Sequence, residues 1–296
     1  CVNHLRGMFS FALWDEANQA LFCARDRFGI KPFYYMVREG VFYFASEVKA
    51  LLPFVDDIAT DLDGFKDYLT FQFCLAGKTL FKGVQELLPA HHLWIRNGSL
   101  QVDRYWEVYY NPDYDHTDRY FEEQLRGLLE DSVSFHLRSD VPVGAYISGG
   151  LDSSAVASIA AGRQDAGAMI GFTGKFSSHG EEFDESRYAR AIAKWKGFDL
   201  HEGDITAADF IENIRRVIYH MDYPAAGPGS FPQFMVSQLA ARHRKVVLGG
   251  QGGDEIFGGY TRYLIAYFEQ CIKGAIEGTM RSGNFVVTYE SIIPNL

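Results

Sequence analysis

Apolar and polar positions alternate in short runs through the first hundred residues, a pattern typical of antiparallel strands. Three apolar, aromatic-rich runs fit such strands: residues 8–14, 20–24 and 41–45. Polar residues 15–18 read as a turn between the first two runs. Asn97 and Gly98 interrupt a further run at residues 93–106 and predict a β-hairpin. The first part of the chain is therefore expected to be rich in strands and poor in helices.

The period changes after residue 118 to that of a helix. Five apolar residues recur at helical spacing: Phe121, Leu125, Leu128, Leu129 and Val133. Asp118 stands before them and is expected to cap the helix. Short apolar runs follow at residues 141–147, 169–173 and 246–248. Helix-like stretches lie between them, at residues 153–161, 185–196 and 231–244. This alternation predicts a parallel sheet covered by helices on both faces.

Residues 107–118 are polar and turn-rich, contain Pro112, and predict a linker. They separate a domain at residues 1–106 from a second domain at residues 119–296. The two parts belong to different fold classes, and the chain as a whole is expected to be α/β.

Composition limits the classes of function. Of the 296 residues, 47% are hydrophobic and 22% are charged, as in a globular protein. No run approaches the roughly 20 apolar residues that a membrane span needs. The formal net charge of -10 argues against nucleic acid as the main partner. No pair of the four cysteines has CxxC spacing, so we expect neither a zinc site nor a disulfide scaffold, and a reducing cytoplasm fits best.

The most informative run, residues 148–154, reads Ser-Gly-Gly-Leu-Asp-Ser-Ser and follows an apolar strand. Glycines let the backbone approach an anion, and the next helix, expected to begin near Ser153, directs free N–H groups at it. The hydroxyls of Ser148, Ser153 and Ser154 are further donors. Asp152 places a carboxylate where magnesium would bridge to phosphates. Ser-Gly-Gly alone would fit a plain capped turn, but the whole string favours a phosphate site. It lacks the lysine of a Walker A loop.

A second run, residues 246–260, repeats the order of strand, glycines, acidic pair and glycine turn. Asp254 and Asp152 could share one magnesium ion on the phosphates. For the pair Asp254 and Glu255 taken alone, a solvated helix start is an equal alternative.

Residues 148–154 resemble the pyrophosphate loop of the N-type ATP pyrophosphatases, which cleave ATP between its α- and β-phosphates. Together the two runs are similar to the synthetase domain of the asparagine synthetase B family, and residues 183–186 add a further match. The resemblance implies ATP and Mg2+, with Asp152 and Asp254 as metal ligands. It also implies a nucleotide site lined by Ile147, Ser148, Gly149, Gly150, Asp152, Ser153, Ser154, Phe172, Thr173, Gly174, Gly249 and Gly250.

The second run departs from the family pattern at two positions. Gly249 stands where the family usually has Ser, and Gln251 where it usually has Glu. The resemblance makes Gln251 catalytic together with Asp152 and Asp254. Gln251 keeps the size and hydrogen bonding of Glu but loses its charge. The identity of the acceptor carboxylate is therefore left open, whereas the ATP assignment is unaffected.

Residues 6–54 resemble the late part of a class II glutamine amidotransferase domain, through strings at residues 6–9, 25–32 and 45–51. On physical grounds alone, charged residues 25–27 read as a solvated turn. The resemblance implies that residues 1–106 are the C-terminal part of an Ntn-type αββα domain whose nucleophilic cysteine precedes this chain. Cys1 is followed by Val2 rather than Gly, and is not expected to be that nucleophile. We expect a fragment that also ends before the synthetase domain does.

The resemblance implies ATP-dependent amidation of aspartate to asparagine through a β-aspartyl adenylate, with ammonia from glutamine. The partners would be the small molecules aspartate, glutamine and ATP, and a homodimer is compatible with it; no sequence feature supports nucleic acid or a membrane. Two alternatives stay open. One is an enzyme of the same fold that closes a β-lactam or amidates another carboxylate, which Gln251 supports. The other is a non-catalytic nucleotide-binding module.

Overall fold

The computed structural model describes residues 1–163, 169–177, 184–224, 227 and 229–277. Within these ranges the chain forms two compact units. The first unit combines the described residues of Cys1–Tyr114 and Ile214–Pro228, and the second those of Asp115–Asn213 and Gly229–Leu296. No helix in the described ranges is long and apolar enough to cross a lipid bilayer.

The first unit is built from two antiparallel sheets. Its strands are β1 (Ser10–Asp15), β2 (Ala20–Arg25), β3 (Tyr34–Arg38), β4 (Val41–Ala45), β5 (Gln85–Glu86), β6 (His91–Arg96) and β7 (Ser99–Arg104). One sheet has the order β1-β2-β6-β7 and the other β4-β3-β5. This unit also contains helix α1 (Leu62–Phe71) and short 3-10 turns at Val2–His4, Val48–Ala50 and Leu52–Phe54. The expected strand-rich first part is confirmed.

The predicted hairpin with its turn at Asn97 and Gly98 is confirmed. Strands β6 and β7 pair in register from Arg96 with Ser99 back to His91 with Arg104. Asn97 and Gly98 both take positive φ, at 50° and 73°, which is the backbone that a two-residue hairpin turn requires. Local turn chemistry thus sets this register.

The prediction of a solvated turn at residues 25–27 is wrong for two of its three residues. Arg25 and Asp26 are 6% and 1% exposed. The Asp26 carboxylate accepts hydrogen bonds from the backbone N–H groups of Phe28, Ile30 and Lys31. The Arg25 guanidinium pairs with Glu86 at 2.7 Å and donates to three backbone carbonyls. The free-energy cost of burying these charged groups is offset because the polar atoms of both side chains are hydrogen-bonded inside the fold.

The second unit alternates helices and strands, as the sequence predicts. Its elements are α2 (Asp118–His136), β8 (Val143–Tyr146), α3 (Leu151–Ala161), β9 (Ile170–Lys175), α4 (Ser186–Lys196), β10 (Asp199–Asp204), α6 (Ser230–Ala241), β11 (Val246–Leu248), α7 (Gly253–Phe257) and α8 (Thr261–Glu277). Helix α5 (Ala207–Met221) begins in this unit and ends in the first.

The four strands of the second unit form a parallel sheet in the order β10-β9-β8-β11. A Cβ atom on Gly171 would meet Phe198, which follows α4, whereas one on Gly174 would meet Val236 of α6. Residues three apart on a strand point to opposite faces. Helix α6 therefore covers one face, and α4 together with α3 covers the other. The predicted parallel sheet with two covered faces is confirmed.

Several boundaries differ from the prediction. Helix α3 begins at Leu151 rather than near Ser153, with Gly150 as its N-cap. Thr117 caps α2 through its side chain, so Asp118 is the first helical residue and not the cap. Thr117 is the N-cap because its Oγ1 accepts a hydrogen bond from the N–H of Tyr120. The sequence analysis also missed α5, α8 and β10, of which β10 is mostly polar.

Candidate functional site

The strand order of the parallel sheet reverses between β8 and β11. The chain proceeds from β8 to β9 and β10 on one side, then returns to β11 on the other side of β8. In open α/β sheets a crevice forms at such a point, outside the carboxyl ends of the strands. The glycine-rich parts of both runs singled out in the sequence, residues 148–150 and 249–253, follow directly at this edge.

The first loop leaves the sheet at Ile147, a fully buried residue whose N–H donates to the carbonyl of Phe172 at 2.9 Å. Gly149 follows with a φ of +96°. A Cβ atom at Gly149 would lie 2.7 Å from the carbonyl oxygen of Glu185, at the start of α4. Both the backbone angle and the lack of space therefore require glycine at this position.

Two of the three serine hydroxyls expected as free donors are paired inside the loop. The oxygens of Ser148 and Ser153 lie 2.9 Å apart. Ser153 Oγ accepts the N–H of Ser148, and Ser148 Oγ accepts the N–H of Gly150, both at 3.2 Å. These hydroxyls hold the shape of the loop. The amides left for an anion are those of Leu151 and Asp152, because the first N–H groups of a helix have no acceptor within the helix.

The second loop packs directly on the first. A Cβ atom on Gly250 would stand 2.5 Å from the amide nitrogen of Ser153 and 2.8 Å from the carbonyl carbon of Asp152. Gly253, at the start of α7, lies against the Asp152 carboxylate. Glycines thus bring the backbones of two loops about a hundred residues apart in sequence into contact at the crevice.

The two aspartates expected to bind metal have different neighbours. Asp152 faces Gly253, whereas the carboxylate of Asp254 lies against Gly259 in the turn after α7. Glu255 accepts a hydrogen bond from the hydroxyl of Tyr260 at 3.1 Å, and this bond raises the pKa of Tyr260. Within the described ranges no three or more His, Cys, Asp or Glu side chains are grouped to hold a metal. Two carboxylates still fit Mg2+, which takes its remaining ligands from phosphates and water.

Strand β9 forms one wall of the crevice. Its last pair with β8 joins Phe172 to Tyr146, and β9 then continues to Lys175 alongside β10. The backbone of Thr173 and Gly174 on the β8 side thus borders the crevice. Phe172 is fully buried and its carbonyl is taken by Ile147. Of the predicted nucleotide contacts on β9, Phe172 and Thr173 are buried and Gly174 is partly buried.

Gln251 projects from the second loop toward α6. Its Nε2 lies 3.3 Å from Oε1 of Gln233, and its Oε1 lies against Gly249. The sequence reading missed Gln233. The signal was present in the spacing of Gln233 and Ser237, which share one face of α6 and are hydrogen-bonded at 3.3 Å.

At the start of α4, Asp184 accepts a hydrogen bond from the N–H of Ser186 at 2.9 Å. Bonds from Ser186 lower the pKa of Asp184. The N-cap residue of α4 is Glu185, whose side chain makes no capping hydrogen bond, so the bond to Ser186 comes from the residue before the cap. Phe183 lies outside the described residues.

Two protein-family models match the chain. One, described as asparagine synthase, matches residues 124–290, and the other, described as glutamine amidotransferase domain, matches residues 1–106. The first model therefore covers both glycine-rich loops.

Curated relatives extend over nearly the whole chain. A glutamine-hydrolysing asparagine synthetase of Bacillus subtilis is 35% identical over 263 residues, which are 88% of this chain and 41% of that protein. A second asparagine synthetase of that organism is 33% identical over 284 residues, which are 91% of this chain and 46% of that protein. An amidase of Penicillium rubens, chyE, is 33% identical over 279 residues, which are 88% of this chain and 41% of that protein. The chain spans less than half the length of these relatives.

Proposed function

Because the chain belongs to the asparagine synthase family, we propose that it carries the ATP site of a carbon–nitrogen ligase that converts a carboxylate into an amide. Aspartate is the proposed acceptor, asparagine the product, and glutamine the source of ammonia. The observation that carries the proposal is the contact of Gly250 with the backbone of Asp152 and Ser153. It joins two loops, each suited to an anion, at the switch point of a parallel sheet.

In the proposed mechanism, the amides that open α3 bind the departing pyrophosphate. The acceptor carboxylate attacks the α-phosphate, the bond to the β-phosphate breaks, and an acyl adenylate forms. Ammonia then attacks the acyl carbon and AMP leaves. The contribution of this chain is the set of fixed dipoles of the loop, which need no rearrangement as charge develops.

Asp152 and Asp254 are the proposed ligands of Mg2+, which when bound would neutralise the charge that accumulates on pyrophosphate. Both carboxylates lie on or beside α7 and its following turn. We also propose the domain boundaries given above, with residues 1–106 as part of an Ntn-type αββα glutaminase domain, 107–118 as linker and 119–296 as synthetase domain.

The test is pyrophosphate release by the full natural protein, with ATP and Mg2+, in the presence and absence of aspartate. Aspartate-dependent release, and an aspartyl adenylate trapped when ammonia and glutamine are withheld, are expected. Release that ignores aspartate would remove aspartate as the acceptor. ATP binding with no release under any condition would leave a nucleotide-binding module.

A second candidate is amidation of a different carboxylate, or closure of a β-lactam, on the same loops. The observation in its favour is Gln251, and a relative carries the name amidase. Pyrophosphate release measured across a panel of carboxylic acids distinguishes it from the first candidate.

A further inference from the structure

Side-chain hydrogen bonds through α6 link the end of β8 to the second loop. The hydroxyl of Tyr146, the last residue of β8, lies 2.9 Å from Ser237 Oγ. Gln233 Nε2 donates to the same Ser237 oxygen at 3.3 Å, and Gln251 Nε2 donates to Gln233 Oε1 at 3.3 Å. This relay of Tyr146, Ser237, Gln233 and Gln251 lies wholly within the second unit. It holds an exposed side chain of the second loop in one place.

Glycine at position 249 makes this placement of Gln251 possible. The space that a Cβ atom on Gly249 would take is filled by Oε1 of Gln251. The two positions at which the second loop departs from the family pattern are therefore in contact with each other. Because the obstructing atom is the end of a flexible side chain, a serine at 249 would displace Gln251 without breaking the loop.

The relay is compatible with either an amide or a carboxylate at position 251. The hydroxyls of Ser237 and Tyr146 can each donate or accept, and Gln233 can turn its amide to offer Nε2 instead of Oε1. A glutamate at 251 would therefore find the same support. The relay therefore does not determine the charge of the side chain at position 251, and in this chain that side chain is uncharged.

The uncharged side chain of Gln251 lies close to the place where an acceptor would bind. Gly250, the neighbour of Gln251, lies on the backbone of Asp152 and Ser153 at the mouth of the proposed phosphate site. An acceptor molecule must bring its carboxylate to this place. A carboxylate at 251 would attract an ammonium group on such a molecule, whereas an amide offers only a hydrogen bond.

We infer that Gly249 and Gln251 form a selectivity element that binds the acceptor beside its reacting carboxylate by hydrogen bonding rather than by charge. Gln233, Ser237 and Tyr146 are positioning residues for Gln251. The inference rests on the proposed function and adds to it a class of acceptor: small carboxylic acids for which a neighbouring ammonium group is not required.

The test compares aspartate with succinate, which keeps both carboxylates and lacks the ammonium group. kcat/KM for pyrophosphate release is measured with each acid in the full natural protein. Gln251→Glu is expected to raise the preference for aspartate over succinate about tenfold, as one added charge pair would, with the KM for ATP unchanged. An unchanged preference in a folded Gln251→Glu protein would overturn the inference.

Positioning is tested by combining variants. Gln233→Met removes the partner of Gln251, and is expected to raise the KM for the acceptor severalfold and to shrink the effect of Gln251→Glu on the preference. Gly249→Ser should act in the same direction by displacing Gln251. Gln238→Met, on the same helix but outside the relay, is the matched control and should change neither quantity.

Different results would contradict the proposed function and the inference. If the unaltered protein releases no pyrophosphate with any carboxylic acid, the proposed function falls and takes the inference with it. If it does release pyrophosphate, and Gln233→Met behaves like Gln238→Met while retaining its melting temperature, the positioning role is wrong and the proposed function stands.

Discussion

Gly250 lies directly against the backbone of Ser153, so that a Cβ atom on the glycine would stand 2.5 Å from the serine's amide nitrogen. Real Cβ atoms do not approach a backbone nitrogen so closely, and neither backbone is free to move because each continues into a helix or a strand. The absence of one methyl group therefore decides whether the two loops can meet.

Gly250→Ala is expected to push the loops apart. The cost should be about 2 kcal/mol in the free energy of unfolding, in the range for overpacking, and ATP should bind at least tenfold more weakly. Chemical denaturation and calorimetric titration with ATP measure the two effects. Gly127→Ala in α2 is the control, because a Cβ there meets nothing within 4 Å and should stabilise the helix by about 0.5 to 1 kcal/mol. Unchanged ATP binding by Gly250→Ala would contradict the proposed site.

Asp152→Asn is expected to lower pyrophosphate release about a hundredfold, because the variant keeps the shape of the side chain and loses the charge that would hold Mg2+. The concentration of Mg2+ needed for half-maximal activity should rise. Asp199→Asn, an exposed position on β10, should leave both quantities unchanged. If Asp152→Asn requires no more Mg2+ than the unaltered protein, Asp152 is not a metal ligand.

Asp222 is expected to stabilise the first unit. It is 9% exposed, has a φ of 60°, accepts the N–H of Val48 at 2.7 Å and pairs with Lys49 Nζ at 2.9 Å. Asp222→Ala should cost about 2 kcal/mol, because it removes a helical cap and a paired charge and places alanine at positive φ. Asp222→Asn should lose about half as much, since its amide oxygen can still accept from Val48 and Asn tolerates this backbone.

Urea denaturation followed by a probe in the first unit measures the effect of these substitutions. Asp56→Ala is the control, because Asp56 is 78% exposed and pairs with Arg38 at the surface, where such pairs contribute little. Equal losses for Asp222→Ala and Asp56→Ala would show that the contacts of Asp222 do not matter for stability.

Arg190 and Glu202 provide a pH-dependent contribution in the second unit. Two parallel hydrogen bonds of 2.6 Å join them, and the bonds from Arg190 lower the pKa of Glu202 below its usual 4.5. A carboxyl whose pKa is lowered on folding stabilises the fold above its unfolded pKa, and this contribution is lost as pH falls through the folded pKa. Glu202→Gln should therefore melt slightly lower than the unaltered protein at pH 7.

The difference in melting temperature between Glu202→Gln and the unaltered protein should close as the pH drops below 4. Thermal unfolding over a pH series measures it. The effect should be small and should weaken in salt, because half of the Arg190 side chain is exposed. A difference that is constant from pH 7 to pH 3 would assign the effect to packing instead.

Features governed by neighbouring residues could be read from the sequence. The hairpin at Asn97 and Gly98 depends on two backbone angles that these residues adopt readily. The alternation of apolar runs and helical spacing after residue 118 predicted the parallel sheet. The run at residues 148–154 indicated a strand, a glycine turn and a helix, and the structure shows all three, with the helix starting two residues early. Strand β10 was missed because its residues, Asp199–Asp204, are mostly polar.

What the tertiary structure alone decided are the pairings between distant residues. Whether Arg25 and Asp26 are solvated or buried depends on partners as far away as Glu86. Whether Ser148 and Ser153 face a ligand or each other depends on how the loop folds on the helix. That Gly249 admits Gln251, and that Gln233 holds it, depends on where α6 lies against the sheet. Spacing along a chain reports local backbone preference, whereas packing between segments far apart in sequence is set by the balance of shape, burial and hydrogen bonding over the whole unit.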